Sequence, residues 1–171
     1  MNNPINLSDP TGWAVDCSNE VFDCAKKLFN VTGKRFVQAE SGKIGRFEGT
    51  TADGRDITLF NDAQRFSTDE LSYFRDHWLP MDPSGPIRGL TSNTCRWARF
   101  RFYCFDYHTS YTANNLPLAD TAATARHELG HQLAREVGLV PKNFEDEDPW
   151  GARMEDCIAR ALLKRQQQKP H

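Results

Sequence analysis

The feature that most constrains this chain is the motif H-E-x-x-H, which lies in a segment with the pattern of a single helix, Thr121–Leu139. Because a helix turns about 100° per residue, His127 and His131 project from the same face and can bind one metal ion. Glu128 lies where it can reach a water molecule on that metal. The opposite side of the helix is apolar and contains Ala122, Ala125, Leu129 and Leu133. The motif therefore predicts a half-buried helix with a hydrolytic metal site on one face.

Length and composition bound the remaining possibilities. The 171 residues are enough for one domain with a hydrophobic core and too few for two. Hydrophobic residues make up 39% and charged residues 26%, and the net charge is −2, so no polybasic surface predicts a nucleic-acid partner. No apolar run approaches the roughly 18 residues of a membrane span, and Met1–Trp13 lacks the features of a signal peptide. We expect neither a membrane span nor a signal peptide.

The five cysteines are odd in number and contain no C-x-x-C pair, which does not favour a cysteine zinc site. On one continuous strand, Cys95 and Cys104 would lie about 30 Å apart, too far for a disulfide. On one helix, Cys17 and Cys24 would lie about 10 Å apart, also too far. Any disulfide would therefore have to join different elements, and reduced buried thiols fit the sequence equally well.

Hydrophobic periodicity predicts further helices and strands before the motif helix. The helical patterns are Asn19–Asn30 and Ser67–Trp78, and the strand patterns are Arg35–Ala39, Gly45–Phe60 and Arg96–Phe105. Asp53-Gly54 supplies a hairpin turn within the second strand region. A last helical pattern follows residue 149. The predicted fold class is α+β, with a short mixed or antiparallel sheet packed on the motif helix and a C-terminal helix.

The H-E-x-x-H helix resembles the active-site helix of zincin peptidases. This resemblance implies a small zincin-like domain, a zinc cofactor and peptide-bond hydrolysis in which Glu128 is the general base on zinc-bound water. The H-x-x-G-x-x-H extension of metzincins is absent after His131. In zincins, an edge strand beside the helix pairs with the substrate backbone. Arg96–Phe105 is the candidate for that strand, although a central strand would have the same pattern.

The segment Tyr107–Leu118 reads as a loop that leads into the motif helix. It carries two candidate transition-state stabilisers, His108 and Tyr111. In zinc peptidases, a nearby His or Tyr often stabilises the oxyanion by donating a hydrogen bond as negative charge develops. Neither residue has a defined spacing from the motif, so a plain surface role stays open for each.

A catalytic zinc takes three protein ligands, and the third has to come from outside the motif. Glu155 flanks the apolar stripe of the C-terminal helix and lies 24 residues after His131. This spacing is similar to that of gluzincins, whose third ligand is a Glu on the helix that follows the motif. Asp148 precedes Pro149 and suits a helix N-cap instead. The alternatives to Glu155 are His108, no third ligand, or the loop acids Glu145, Asp146, Glu147 and Asp148, with Glu147 and Glu145 ahead.

The N-terminal segment Asn2–Trp13, NNPINLSDPTGW, carries a second resemblance. It is similar to the end of the core region of Rhs and YD-repeat proteins, including the C components of Tc toxins, where NNPxNxxDPxG precedes a variable toxin domain. The resemblance implies two parts: residues 1–13 as the end of the Rhs core, and residues 14–171 as a zinc metallopeptidase toxin domain. The implied processing motif consists of Asp9, Pro10, Gly12 and Trp13, and Trp13 stands where the family commonly has Leu.

Together, the two resemblances imply a secreted toxin or effector that a dedicated secretion or translocation system delivers into a target cell. The expected partners are a protein substrate in that cell, the Rhs or YD-repeat shell of the precursor, and a cognate immunity protein or secretion-system components. Two alternatives stay open. The first is a zinc hydrolase of peptidoglycan peptide crosslinks, and the second is a non-enzymatic passenger that binds a host or immunity partner with a vestigial motif.

Overall fold

The computed structural model describes residues 16–78 and 86–169. The chain forms an α+β fold, as the sequence predicts. Its elements are α1 (Ser18–Phe29), β1 (Thr32–Val37), β2 (Ile44–Thr50), β3 (Asp56–Asp62), α2 (Thr68–Trp78), β4 (Gly89–Leu90), β5 (Cys95–Ala98), β6 (Arg101–Cys104), β7 (Thr109–Thr112), α3 (Leu118–Glu136) and α4 (Trp150–Gln167). Within these described residues, no helix has the length and apolar character that a membrane crossing needs.

The larger sheet of the described residues has the strand order β1-β2-β3-β7-β4. The β1–β2, β2–β3 and β4–β7 pairs are antiparallel, and β3 and β7 are parallel. The predicted hairpin is confirmed, because β2 and β3 flank a turn in which Gly54 has a φ of +86°. Short β4 is the edge of this sheet on the side of α3.

The predicted continuous strand Arg96–Phe105 is wrong. It is a two-stranded hairpin in which β5 pairs with β6, with Cys95 opposite Cys104. The chain reverses at Arg99, which takes a left-handed φ of +57° without the Gly or Asn that normally marks such a turn. The reversal brings Cys95 and Cys104 into a disulfide with a Cα–Cα distance of 4.1 Å, the pairing that the strand prediction excluded. A disulfide between different elements does exist, joining α1 to α4.

The predicted loop Tyr107–Leu118 also contains a strand, β7, which lies inside the sheet between β3 and β4. The residues of β7 are polar, so the sequence shows no hydrophobic pattern there. In the structure they are buried, and a hydrogen-bond network satisfies them. Asn61 Nδ2 donates to Ser110 Oγ at 2.8 Å, and Thr112 Oγ1 donates to Asn61 Oδ1 at 2.8 Å. Buried polar groups are tolerated in a sheet when they are paired in this way.

Two hydrophobic clusters support the helices. The larger one lies between the sheet and the helices α1, α3 and α4, with Phe47, Leu59, Leu133, Met154 and Ile158 among its buried residues. The smaller one packs α2 and the hairpin against β4 and β7, with Leu71, Phe74, Leu90, Phe105 and Tyr111 among its buried residues. Because α3 belongs to the larger cluster through Leu129 and Leu133, its apolar back is buried as the motif predicts.

Candidate metal centre

The two motif histidines lie one turn apart on α3, and their ring centroids are 4.8 Å apart. The structure brings a third residue to them from the loop before α4. Ligand atoms of His127, His131 and Glu147 all lie within 4.8 Å of one another. One contact in this group is between His127 Nε2 and Glu147 Oε1, at 4.0 Å. The described residues therefore contain a possible metal-binding triad of two imidazoles and one carboxylate.

Each histidine uses its other ring nitrogen to bind a carboxylate. The Nδ1 atom of His127 lies 2.9 Å from Glu155 Oε2, and the Nδ1 atom of His131 lies 2.8 Å from Asp148 Oδ1. An ionised carboxylate only accepts hydrogen bonds, so each Nδ1 is the donor and a neutral imidazole presents its Nε2 lone pair. This arrangement fixes the tautomer and orientation of metal-binding histidines in many proteins.

Glu155, which the sequence favours as the third ligand, lies beside the two histidines, and its role as a ligand stays a prediction. Its carboxylate accepts from the Nδ1 side of His127, whereas the group of converging ligand atoms contains Glu147. The helical wheel placed Glu155 at the flank of the apolar stripe, and in the structure its carboxylate contacts the motif helix. A wheel carries no information on which nitrogen of the imidazole ring the carboxylate meets. Asp148 serves two roles, because the backbone N–H of Trp150 donates to it at 2.9 Å while it also binds His131.

Asp148 is tied into the protein by a buried arginine that the sequence analysis missed. Arg135 Nη1 lies 3.2 Å from Asp148 Oδ2, and both side chains are 3% exposed. Arg135 Nη2 also donates to the carbonyl of Phe144 at 3.0 Å. Arg135 lies one turn after His131, so the i,i+4 spacing was a signal that could have identified it.

Electrostatics at His127 favours the protonated ring when no metal competes. Burial alone would lower the pKa of His127, but the hydrogen bond to Glu155 and the charges of Glu128 and Glu147 outweigh it and raise this pKa. Metal binding has to displace the proton from the ligand nitrogen. Any metal affinity of this site should therefore fall as the pH is lowered.

Two glycines allow α3 and α4 to approach closely at the site. A Cβ atom on Gly151 would lie 2.6 Å from His127 Nε2 and similarly close to Nε2 of His131. A Cβ atom on Gly130 would clash with the backbone of Trp150 and lie 2.7 Å from Met154 Cβ. Gly151 therefore leaves room at the two ligand nitrogens, and Gly130 lets the helices pack.

We expect Gly151→Ala to weaken metal binding at this candidate site strongly while the fold survives, because the added methyl group occupies the space in front of both Nε2 atoms. Alanine favours helix by about 1 kcal/mol relative to glycine, so local propensity does not oppose the change. Zinc affinity by competition with a chelator and unfolding in urea measure the two effects. Gly130→Ala is the comparison, since it should mainly destabilise the fold. Unchanged zinc affinity of Gly151→Ala would argue against a metal at this position.

Glu128 is the acidic residue of the motif, and it is 4% exposed. Thr91 Oγ1 donates to Glu128 Oε2 at 2.5 Å, which fixes the carboxylate beside β4. Gly89 approaches the same carboxylate so closely that a Cβ atom there would lie 2.6 Å from Glu128 Oε1. No sequence pattern pointed to Thr91 or Gly89, because their contact with Glu128 depends on the sheet edge.

A cleft of about 540 Å³ opens over these residues. Its lining includes both histidines, Glu128, the acids of the loop before α4, and residues 86–91 around β4. The strand that borders the cleft is therefore β4, and the hairpin predicted as the edge strand does not supply it. The residues of Arg96–Phe105 alternate as those of an edge strand do. In the structure, however, the chain reverses within this segment, and the hairpin that the disulfide closes is not part of the main sheet.

The two predicted transition-state stabilisers lie elsewhere among the described residues. Tyr111 is 7% exposed and packs in the smaller hydrophobic cluster against Phe66 at a centroid distance of 5.2 Å. His108 contacts Glu136 at the far end of α3, with Nε2 3.2 Å from Glu136 Oε2. Neither residue lines the cleft. The processing motif Asp9, Pro10, Gly12 and Trp13 lies outside the described residues.

A polar cluster at the end of α3 anchors the helix that carries the site. Buried Glu136 accepts hydrogen bonds from Tyr107 Oη at 2.8 Å and from Arg55 Nη1 at 2.8 Å. Burial would raise the pKa of Glu136, but these hydrogen bonds outweigh it and lower the pKa. A carboxyl group whose pKa is lowered on folding stabilises the fold above its unfolded pKa. That contribution disappears as the pH falls through the folded pKa.

We expect Glu136→Gln to lower the free energy of unfolding at pH 7 by about 1.5–3 kcal/mol, because it removes charge-assisted hydrogen bonds. The difference between wild type and variant should shrink as the pH falls below the ordinary value of 4.5. Urea unfolding at several pH values measures both effects. Glu48→Gln is the control, since its ion pair with Arg46 is partly exposed. A difference that does not depend on pH would contradict this assignment.

Comparison of the chain with protein-family models, with curated proteins and with solved structures finds no match.

Proposed function

We propose that this chain is a zinc-dependent metallopeptidase that acts as a secreted toxin and cleaves proteins of a target cell. The observation that carries the enzymatic part is the convergence of His127, His131 and Glu147 in a cleft. Glu128 also lines this cleft. The carboxylates on both Nδ1 atoms support it, because they prepare the two histidines for one metal.

The donor set fits zinc. Two imidazole nitrogens and one carboxylate oxygen are a common catalytic zinc set, and they leave a further coordination position. The glycine at position 151 keeps the space in front of the nitrogens open. His127, His131 and Glu147 would hold the ion, since their ligand atoms already lie within 4.8 Å of one another. When bound, zinc would polarise a substrate carbonyl and lower the pKa of water.

In this proposal, Glu128 moves the proton. It accepts a proton from the water that attacks the scissile carbonyl, and it delivers that proton to the nitrogen of the departing amine as the C–N bond breaks. Thr91 holds one carboxylate oxygen and leaves the other for the reaction. Burial in the cleft limits competing hydration of the carboxylate.

The substrate would bind as an extended segment along β4. This strand is the sheet edge, it borders the cleft, and its pairing with β7 is antiparallel. Backbone pairing at an edge strand accepts many sequences, while side-chain pockets give selectivity. In this proposal, the edge strand that pairs with the substrate backbone is therefore Gly89–Leu90 and not Arg96–Phe105.

The toxin part of the proposal rests on the resemblance of Asn2–Trp13 to the end of an Rhs or YD-repeat core. In a precursor of that kind, the shell would enclose the peptidase until release. An immunity protein would then have to cover the cleft or the β4 edge to protect the producing cell.

The experiment that tests the function compares target-cell proteomes after cytosolic expression of the wild type and of Glu128→Gln. New protein N-termini that appear only with the wild type support the proposal. Toxicity that requires export to the periplasm, with no new N-termini, would favour peptidoglycan crosslinks as the substrate. Purified protein without stoichiometric zinc, and with equal toxicity of both variants, would favour a non-enzymatic passenger.

A further inference from the structure

The β5–β6 hairpin exposes three large aromatic side chains. Trp97 is 71% exposed, Phe102 is 55% exposed, and Phe100 at the turn is 98% exposed. Trp97 and Phe102 are cross-strand partners, and their ring centroids lie 5.5 Å apart. The side chains of Trp97, Phe100 and Phe102 are together called the aromatic face here. Exposed aromatic groups of this size are costly in water and indicate a binding surface.

The hairpin is anchored to the rest of the protein through the side opposite the aromatic face. Ala98 is 4% exposed and belongs to the smaller hydrophobic cluster, and Tyr103 packs against it. The guanidinium of Arg99 lies 4.7 Å from the ring centroid of Tyr73, and the Arg99 N–H donates to Tyr73 Oη at 3.2 Å. The Cys95–Cys104 disulfide closes the base of the hairpin.

The hairpin is also basic. Residues 95–104 contain three arginines and no acidic residue, in a chain whose net charge is −2. Arg96 forms an ion pair with Glu145 at 2.7 Å. Arg101 is exposed, and its contacts within the described residues include no ion pair. The tip of the hairpin therefore combines exposed aromatic rings with an arginine that forms no ion pair to any other residue of the described ranges.

We propose that the hairpin inserts its aromatic face into the interface of a membrane that contains anionic lipids. Trp and Phe partition into the headgroup region, while arginine side chains bury their stems and keep their charge at lipid phosphates. Each basic residue near an anionic leaflet adds to the attraction. The exposed Phe100 at the turn needs no complementary pocket at a lipid surface, whereas a protein partner would have to provide one.

This inference does not depend on the proposed enzymatic function, but it bears on where that function would operate. The Arg96–Glu145 ion pair connects the hairpin to the loop that carries Glu147 and lines the cleft. A hairpin seated in a membrane would therefore hold the cleft next to the lipid surface. Proteins at that surface would meet the cleft at a high local concentration.

Vesicle flotation with the full chain tests the proposal. We expect binding to vesicles of phosphatidylcholine mixed with phosphatidylglycerol, and weaker binding to phosphatidylcholine alone. Added salt should weaken binding to the mixed vesicles, because the arginine contribution is screened. Equal binding to both compositions would overturn the proposal, and so would the absence of binding to either, which would assign the aromatic face to a protein partner.

Variants separate the hairpin from other apolar groups. Phe100→Ser and Trp97→Ser should each weaken binding to the mixed vesicles by at least about tenfold, which is the effect of losing one buried aromatic side chain. Arg101→Glu should also weaken binding to the mixed vesicles, and its effect should be largest at low salt. Ile44→Ser and Leu139→Ser are matched controls, because these residues are 58% and 49% exposed outside the hairpin. Circular dichroism checks folding, and binding that survives in the hairpin variants would overturn the proposal.

Discussion

Replacing Glu128 by Gln should lower peptide hydrolysis by about 10²- to 10⁴-fold while zinc content and thermal stability stay close to those of the wild type. The factor is the usual contribution of a positioned general base. Gln has nearly the same shape as Glu and can still accept the hydrogen bond from Thr91, so the cleft should keep its geometry. It does not take up a proton, and that is the step assigned to Glu128.

The assay is cleavage of a quenched fluorescent peptide library by zinc-loaded protein, with zinc content measured on the same samples. Glu145→Gln is the matched control, because it removes another carboxylate from the cleft lining without touching the proposed proton path. Its activity should stay within a fewfold of the wild type. Full activity of Glu128→Gln would remove the proposed mechanism, whereas loss of zinc from that variant would reassign Glu128 to the metal.

The second large effect is expected at the third ligand. Glu147→Gln should lower zinc affinity more than Glu155→Gln does, because Glu147 belongs to the group of converging ligand atoms. Glu155 acts through the Nδ1 atom of His127, and loss of such an outer partner typically lowers metal affinity by about 10- to 100-fold. We therefore expect zinc affinity to fall in both variants, and to fall further in Glu147→Gln than in Glu155→Gln.

Competition with a zinc chelator measures these affinities, and His127→Ala gives the reference for a lost ligand. Asp146→Gln is the control for the negative charge of the loop, since Asp146 lines the cleft without belonging to the ligand group. The reverse order, with Glu155→Gln the weaker binder, would restore Glu155 as the ligand and make Glu147 the outer residue. Equal, small effects in both variants would indicate a site with two protein ligands.

Much of the fold follows from local patterns, because the elements that were predicted well have an apolar face that repeats with the period of the backbone. The motif helix, the β2–β3 hairpin and α2 belong to this group. The start of α2 is also determined locally, because the Ser67 N–H donates to Glu70 Oε2 at 2.9 Å and the Glu70 N–H donates to Ser67 Oγ at 3.2 Å. In each case, the residues that determine the helix or hairpin lie within one short stretch of the sequence.

The failures have non-local causes. Alternation along Arg96–Phe105 is the same for a straight strand and for a hairpin, and only packing against α2 and the disulfide selects the reversal. Ser110 and Thr112 form an interior strand because Asn61, far away in sequence, satisfies them. The position of Glu147 depends on how α4 approaches α3 across Gly130 and Gly151, which no helical wheel contains.

The disulfide between Cys24 and Cys157 joins residues 133 positions apart and encloses most of the chain, including both motif histidines, in one covalent ring. A ring of this kind cannot be drawn end-first through an opening that admits a single extended strand, because two strands would have to enter side by side. Passage of the unfolded chain through a narrow channel would therefore require the reduced thiols. The bond could close only afterwards, in a compartment oxidising enough to form it.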